Sequence, residues 1–229
     1  MIFNENVKCR GDLLCFVADL FQLQCRIREA KLTLQRYLKH RRREFGGRLA
    51  GVPADGFGGG GRQPRPLLEA VNQQIGSVPN LFRLVANSPA ALEGYLGMSG
   101  ALAKGSLPAQ TRERIALAVA QINDCGYCLS AHSYLGRNVA KLSEAEIAAN
   151  RHGGSLDPKA DAAVRFAAKV VRERGHVSDA DVQAVRMAGY DDAQIVEIVQ
   201  HVALNTWTNY VNSVAQTEID FPVAQALAA

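Results

Sequence analysis

From Pro66 to the C-terminus the chain is punctuated by helix start and stop signals and by little else. Ser88-Pro89 and Asp157-Pro158 each set a side-chain acceptor ahead of a first-turn proline, where the missing N–H costs a helix nothing. Ser143…Glu146 has the spacing of a capping box, and Asp191…Gln194 a related one. Gly153-Gly154, Gly175 and Gly189 stand where helices should stop. Between these signals apolar residues recur at helical spacing, as in Ile195, Ile198, Val199, Val202 and Ala203. The period-two runs that mark strands are absent. The expectation is an all-α domain of about seven helices over residues 66–229.

Only 7% of the residues are aromatic against 48% hydrophobic, so the core has to be built from Ala, Val, Leu and Ile. The run Ile115-Ala116-Leu117-Ala118-Val119-Ala120 is apolar nearly all round, which marks a helix buried in a core or a subunit interface. No apolar run approaches the roughly 18–20 residues of a membrane span. Five cysteines, an odd number in 229 residues, do not make a disulfide scaffold. These features describe a soluble intracellular protein, expected in the cytoplasm.

Residues 1–65 read differently. They carry 13 Lys+Arg against 6 Asp+Glu, whereas the remaining residues carry 13 against 16. The basic character is therefore local, which removes most of the reason to expect a nucleic-acid partner. The segment holds Cys9, Cys15 and Cys25 and the cluster His40-Arg41-Arg42-Arg43, and it closes in the linker-like Gly56-Phe57-Gly58-Gly59-Gly60-Gly61. Its apolar stretch Leu13–Ala18 is short and is followed by Asp19, so it does not read as a signal peptide. Three readings stand: a partner- or surface-binding helix, a poorly structured extension, or sequence upstream of the functional protein's true start near Leu49 or Val52.

The chemistry-bearing sequence follows the apolar helix directly: Asn123-Asp124, then Cys125-Gly126-Tyr127-Cys128, then His132. With Asp124 as helix cap, Cys125 falls in the first turn, and Cys128 and His132 follow at i+3 and i+7 on one face. Neighbouring turns bring such cysteines within disulfide reach. A helix N-terminus favours a thiolate and a nearby imidazole takes its proton, so both lower a cysteine pKa. Covalent haem attachment would need histidine directly after the second cysteine, where Leu129 stands. Zinc would lack a fourth ligand. Two buried apolar cysteines with a hydrogen-bonded core histidine are the bland reading; a redox-active dithiol is the one this spacing at a capped helix start favours. If the turn at Asn123-Asp124 makes an antiparallel helical hairpin, Glu113 and His132 sit about 15 Å and 12 Å from it, nearly level. Glu113 would then orient the imidazole; its other reading is a surface ion pair with Arg112 or Arg114 as alternates.

The pattern Glu113, eleven residues, Cys125-x-x-Cys128, three residues, His132 resembles the catalytic signature of the alkylhydroperoxidase D-like (AhpD-like) branch of the carboxymuconolactone decarboxylase superfamily. Gly76-Ser77-Val78-Pro79-Asn80-Leu81-Phe82, Ser88-Pro89 and Leu107-Pro108…Arg112-Glu113 are similar to other segments of that family. Leu204-Asn205-Thr206…Asn209-Tyr210 is similar to the last helix of a peroxidase-related subgroup. The resemblance spans about residues 66–222 and implies an all-helical homo-oligomer that reduces hydroperoxides without metal, haem or other cofactor. It implies that Cys128 attacks peroxide, Cys125 resolves the product to a disulfide, and His132 with Glu113 relays protons. An external dithiol, of lipoyl type in the best-known members, would restore the pair. The alternatives are a dithiol–disulfide oxidoreductase acting on another disulfide and a non-enzymatic redox sensor. Where some members carry a second histidine, this chain has Tyr127, so the relay either is shorter or uses the phenol. The decarboxylase activity is not implied, because those members lack the cysteine pair.

His201, Asn205, Asn209 and Asn212 run at helical spacing through the apolar terminal segment. They read as a polar seam between subunits, or else as the lining of a substrate channel; His201 and Asn205 join Tyr127 as candidates to stand behind the catalytic four. Trp207 is expected in a core or an interface.

Overall fold

A computed structural model of the chain describes residues 64–227. The basic extension assigned to residues 1–65, with Cys9, Cys15, Cys25 and the glycine run, lies outside the described residues except for its last two, which open the first helix.

Nine helices and no strand occur among the described residues. They are α1 (Pro64–Ile75), α2 (Asn80–Val85), α3 (Pro89–Ala103), α4 (Ala109–Ile122), α5 (Gly126–Asn138), α6 (Glu144–Arg151), α7 (Pro158–Arg172), α8 (Asp179–Met187) and α9 (Asp192–Ala215). The number exceeds the expected seven in part because α2 and α6, of 6 and 8 residues, are too short to show a periodic face.

The caps follow the sequence closely. Ser88 and Asp157 accept from the Ala91 and Ala160 amides ahead of their prolines. Asp191 and Gln194 form a full capping box. Ser143 accepts from the Glu146 amide, but the Glu146 carboxylate turns inward instead of closing the box. Gly153 and Gly175 adopt φ of 82° and 84° just past α6 and α7, a conformation a Cβ would strain.

Helix α4 is the axis of the fold. Every residue from Ile115 to Ala120 is buried, and α5, α6, α7 and α9 all pack on it. The small residues Ala116, Ala118 and Ala120 let neighbouring backbones approach, while Ile115, Leu117 and Val119 supply most of the buried area, each worth about 1.5–3 kcal/mol. Two main cores result, beside a small cluster of Leu117, Ala140, Leu142 and Ile147. A largely aliphatic one lies between α4, α7, α8 and α9, around Val119, Phe166, Val170, Val185 and Ile198. The second lies between α1, α2, α3 and α5 and contains Leu68, Leu92, Tyr127, Tyr134, Phe221 and both motif cysteines. Past α9 the chain crosses this second core as a strap: Asp220 accepts from the Asn80 amide, and the Ala224 amide donates to Ser130 Oγ. No helix among the described residues is long and apolar enough to cross a membrane.

Candidate active site

The α4–α5 corner sets the two cysteines. Asp124 takes a left-handed conformation (φ 50°), its amide donates to Gln121 and the Cys125 amide to Ala120, which together close α4 in a Schellman turn. Asp124 therefore ends one helix instead of capping the next, a correction to the sequence reading. The cap of α5 is Cys125 itself, whose Sγ accepts from the Cys128 amide at 3.3 Å. That bond ties the two cysteines across the first turn. It also puts Cys128 where the unpaired amides of a helix N-terminus favour negative charge.

Both sulfurs are buried and neither is in a disulfide. Their surroundings differ. Cys128 lines a cavity of about 410 Å³; Cys125 sits behind it. Asn212 on α9 donates from Nδ2 to Cys128 Sγ at 3.3 Å. The Cys125 thiol, acting as donor to the Cys128 sulfur, holds the Cys128 pKa down at about 6; burial works against this, and His132, Asn212 and Asn209 support it. The same thiol–thiolate contact, with burial, pushes Cys125 upward, so one proton is shared and Cys128 is the sulfur that lacks it.

His132 stands one turn past Cys128 in the same cavity, and its Nδ1 lies 2.9 Å from Glu113 Oε2. The hairpin brings the two residues level, as the spacing predicts. Neither arginine competes for Glu113: Arg112 donates to the Leu102 and Ala103 carbonyls, and Arg114 pairs with Glu146 at 2.7 Å. Burial lowers the His132 pKa, but the charge and hydrogen bond of Glu113 and the charge of Cys128 outweigh it, and the net shift is upward. With Nδ1 donating to the carboxylate, Nε2 is the nitrogen left to exchange a proton with the cavity.

Tyr127 also borders the cavity, but its hydroxyl accepts from the Leu81 amide and interacts with Asp220, and its ring packs edge-on against Phe221. The phenol thus braces the strap and has no link to His132. The polar series on α9 is buried within a single chain instead of between subunits, which corrects the seam reading. Asn209 accepts from Asn123 at the hairpin turn, and Asn205 donates to the His201 carbonyl. His201 and Asn205 line the cavity. Asn212, the direct partner of the sulfur, and Asn209, one turn before it, were visible in the sequence only as a polar periodicity; which helix they face is a matter of packing. Tyr95 gave no signal. It walls the cavity, stacked on Trp207 (5.4 Å) and tilted against Phe82 (5.5 Å), and burial followed by the charges of Cys128 and Glu113 raises its pKa. Among the described residues no three His, Cys, Asp or Glu side chains converge as a metal site.

A dithiol in an apolar cavity, with one sulfur ionised and an imidazole–carboxylate pair beside it, sits on residues that match the carboxymuconolactone decarboxylase family from 89 to 169. The helical domain is similar to that family over those residues. The fold is AhpD-like: an uncharacterized peroxidase-related protein from Silicibacter sp. TM1040 matches with a TM-score of 0.61 at 27% identity over 67% of this chain and 83% of its own. The alkylhydroperoxidase AhpD core of a peroxidase-related protein from Ralstonia eutropha JMP134 matches at 0.62 and 28% identity, over 68% and 84%. The debrominase Bmp8, solved with 2,3,4-tribromopyrrole, shares the fold at 0.59 and 18% identity, over 69% and 86%. No curated protein matches the chain. Proteins named as peroxidase-related and as a debrominase thus share this helical fold.

Proposed function

We propose that this AhpD-like helical protein is a member of the carboxymuconolactone decarboxylase family and a thiol-dependent peroxidase, an antioxidant enzyme that reduces organic hydroperoxides through Cys128 and Cys125. The observation that carries the reading is the asymmetry of the pair: Cys128 is the sulfur that faces the cavity, and it is the one held at about 6. The Cys128 thiolate attacks the distal peroxide oxygen; the S–O bond forms as O–O breaks, and the departing alkoxide takes a proton from His132. Glu113 holds the imidazole in the orientation this needs. Cys125 then attacks the sulfenic acid, releasing water and closing a disulfide. A dithiol entering the cavity reduces it by exchange, and a lipoyl group, an apolar arm ending in a dithiol, suits such a cavity. The reaction draws on no metal or organic cofactor in this scheme, and a reducing compartment such as the cytoplasm keeps the pair ready.

The protein is a homo-oligomer in this reading, and α9 offers the contact. Val196, Val199, Ala203, Trp207, Tyr210 and Val214 lie exposed at spacings of three and four along it. A second copy packed antiparallel about Asn205 sets Ala203 against Trp207 and Val199 against Tyr210, small against large. Light scattering should give a multiple of the 24.7 kDa chain, and Tyr210→Lys should return the monomer.

The deciding experiment is a single turnover. Reduced full-length protein meets one equivalent of cumene hydroperoxide, and the disulfide is followed by alkylation and mass spectrometry. Oxidation far faster than that of a free thiol, suppressed in His132→Gln, supports the peroxidase. Oxidation at the free-thiol rate sinks it and turns attention to disulfide exchange with a partner.

A further inference from the structure

The cavity does not end at Cys128. Along α9, His201 stands eleven residues before Asn212, about 16 Å back along the helix axis, and it lines the same cavity. Its side chain is 6% exposed, and its Nε2 has no hydrogen-bond partner. The polar neighbours are committed elsewhere: Asn205 donates to the His201 carbonyl at 2.8 Å, and Arg112 Nη1 to two carbonyls at 3.1 and 2.9 Å. The cavity that both residues line is walled largely by apolar side chains, Leu81, Phe82, Leu135, Val139 and Leu204 among them. A stranded buried nitrogen at this position is costly unless something pairs with it, and a leucine would fill the space without that cost.

Burial first, then the Arg112 charge, hold His201 down at about 4, so at neutral pH it offers one N–H and one lone pair and no charge. Two carboxylates, Glu197 and Glu113, act on it as well, against two cationic groups, Arg112 and His132. These charges balance, so the surrounding gives an anionic ligand group no net attraction and suits a neutral oxygen.

We infer that the enzyme's substrates are elongated apolar hydroperoxides bearing a second, uncharged oxygen function, with the peroxide at Cys128 and the remote hydroxyl or carbonyl at His201 Nε2. The inference rests on the peroxidase reading for its chemistry, though the subsite can be tested without turnover. The cavity has the volume of a small-molecule pocket and far exceeds what hydrogen peroxide requires.

The test compares butyl, hexyl, octyl and decyl hydroperoxides, each with and without a terminal hydroxyl, on the full chain. At one length the hydroxyl should raise kcat/KM roughly tenfold, the return on one hydrogen bond to a buried group, and at butyl it should do nothing. His201→Leu should erase that ratio and His201→Gln should keep part of it. A hydroxyl that helps equally at every length, a ratio that survives in His201→Leu, or a terminal carboxylate that outperforms the hydroxyl would overturn the inference. Calorimetry with Cys128→Ser separates it from the peroxidase reading. If no hydroperoxide is consumed, that reading falls, yet a long-chain diol binding more tightly than the matching mono-alcohol still supports the subsite. Equal binding of the two means that solvent satisfies the nitrogen, and the subsite falls instead.

Discussion

Two carboxylates at α4, the buried Glu146 and the half-buried Glu113, have surroundings that teach opposite lessons. Glu146 is saturated: Arg114, Asn150, Ser155 and the Leu156 amide all donate to it. Burial alone would raise its pKa, yet these donors outweigh burial and hold it at about 2. Glu113 meets a single imidazole and faces a cavity. One cluster spends its hydrogen bonds on tying α4 to α6 and the loop before α7. The other leaves bonding capacity uncommitted: on α9, Asn209 Nδ2, Asn212 Oδ1 and His201 Nε2 are buried without partners, against Asn150 Oδ1 in the Glu146 cluster. A fold tolerates such atoms where reacting groups have to change partners.

The comparison breaks most visibly at the sulfurs. Cys128→Ser should abolish peroxide consumption with the fold intact, while Cys125→Ser should allow one turnover and leave a sulfenic acid that a dimedone probe traps. The reverse pattern would exchange their roles. On the structural side, Glu146→Gln should destabilise by about 3 kcal/mol, because Arg114 is left buried without its counter-charge, with activity per folded molecule unchanged. The sign with pH follows from its lowered pKa. The unfolded chain binds the proton more readily, so the Glu146 contribution is full above about 4.5 and is lost as pH falls through about 2. Acid unfolding of the variant should lack that component; an unchanged acid limb would place Glu146 outside the stability network.

Glu113→Gln should do the opposite, costing roughly a hundredfold in rate near neutral pH and little in Tm. Glu113 holds the His132 pKa up, so without its charge the alkaline fall in rate should move to lower pH as the imidazolium that protonates the alkoxide is lost sooner; an unmoved alkaline limb would deny Glu113 its role. The smallest effect is expected at Asn212. The Cys128 alkylation rate should show a midpoint near pH 6 in the native protein, and Asn212→Leu should move it upward, by about one unit or less. A midpoint that stays in place would show that Cys125 and His132 stabilise the thiolate alone.

How much of this was readable beforehand depends on how local each cause is. The caps at Ser88, Asp157 and Asp191 and the stops at Gly153 and Gly175 depend on a few adjacent residues, and they appear where the sequence put them. The Glu113–His132 meeting was also within reach, because a tight turn between two helices fixes register by counting residues. Asp124 was misread because aspartate suits both a helix cap and a left-handed helix end, and only the hydrogen bonds of the turn choose between them.

The sequence by itself determined an all-helical domain, its buried central helix and a dithiol with a proton acceptor on one face, since these follow from short-range spacing and side-chain chemistry. The tertiary structure alone decided that α9 turns Asn212 to the sulfur, that Tyr127 faces Asp220 and the strap, and that His201 lines the cavity that Cys128 lines. Those choices depend on the rotation and packing of helices many residues apart, and periodicity places a residue on a face without saying what the face will meet.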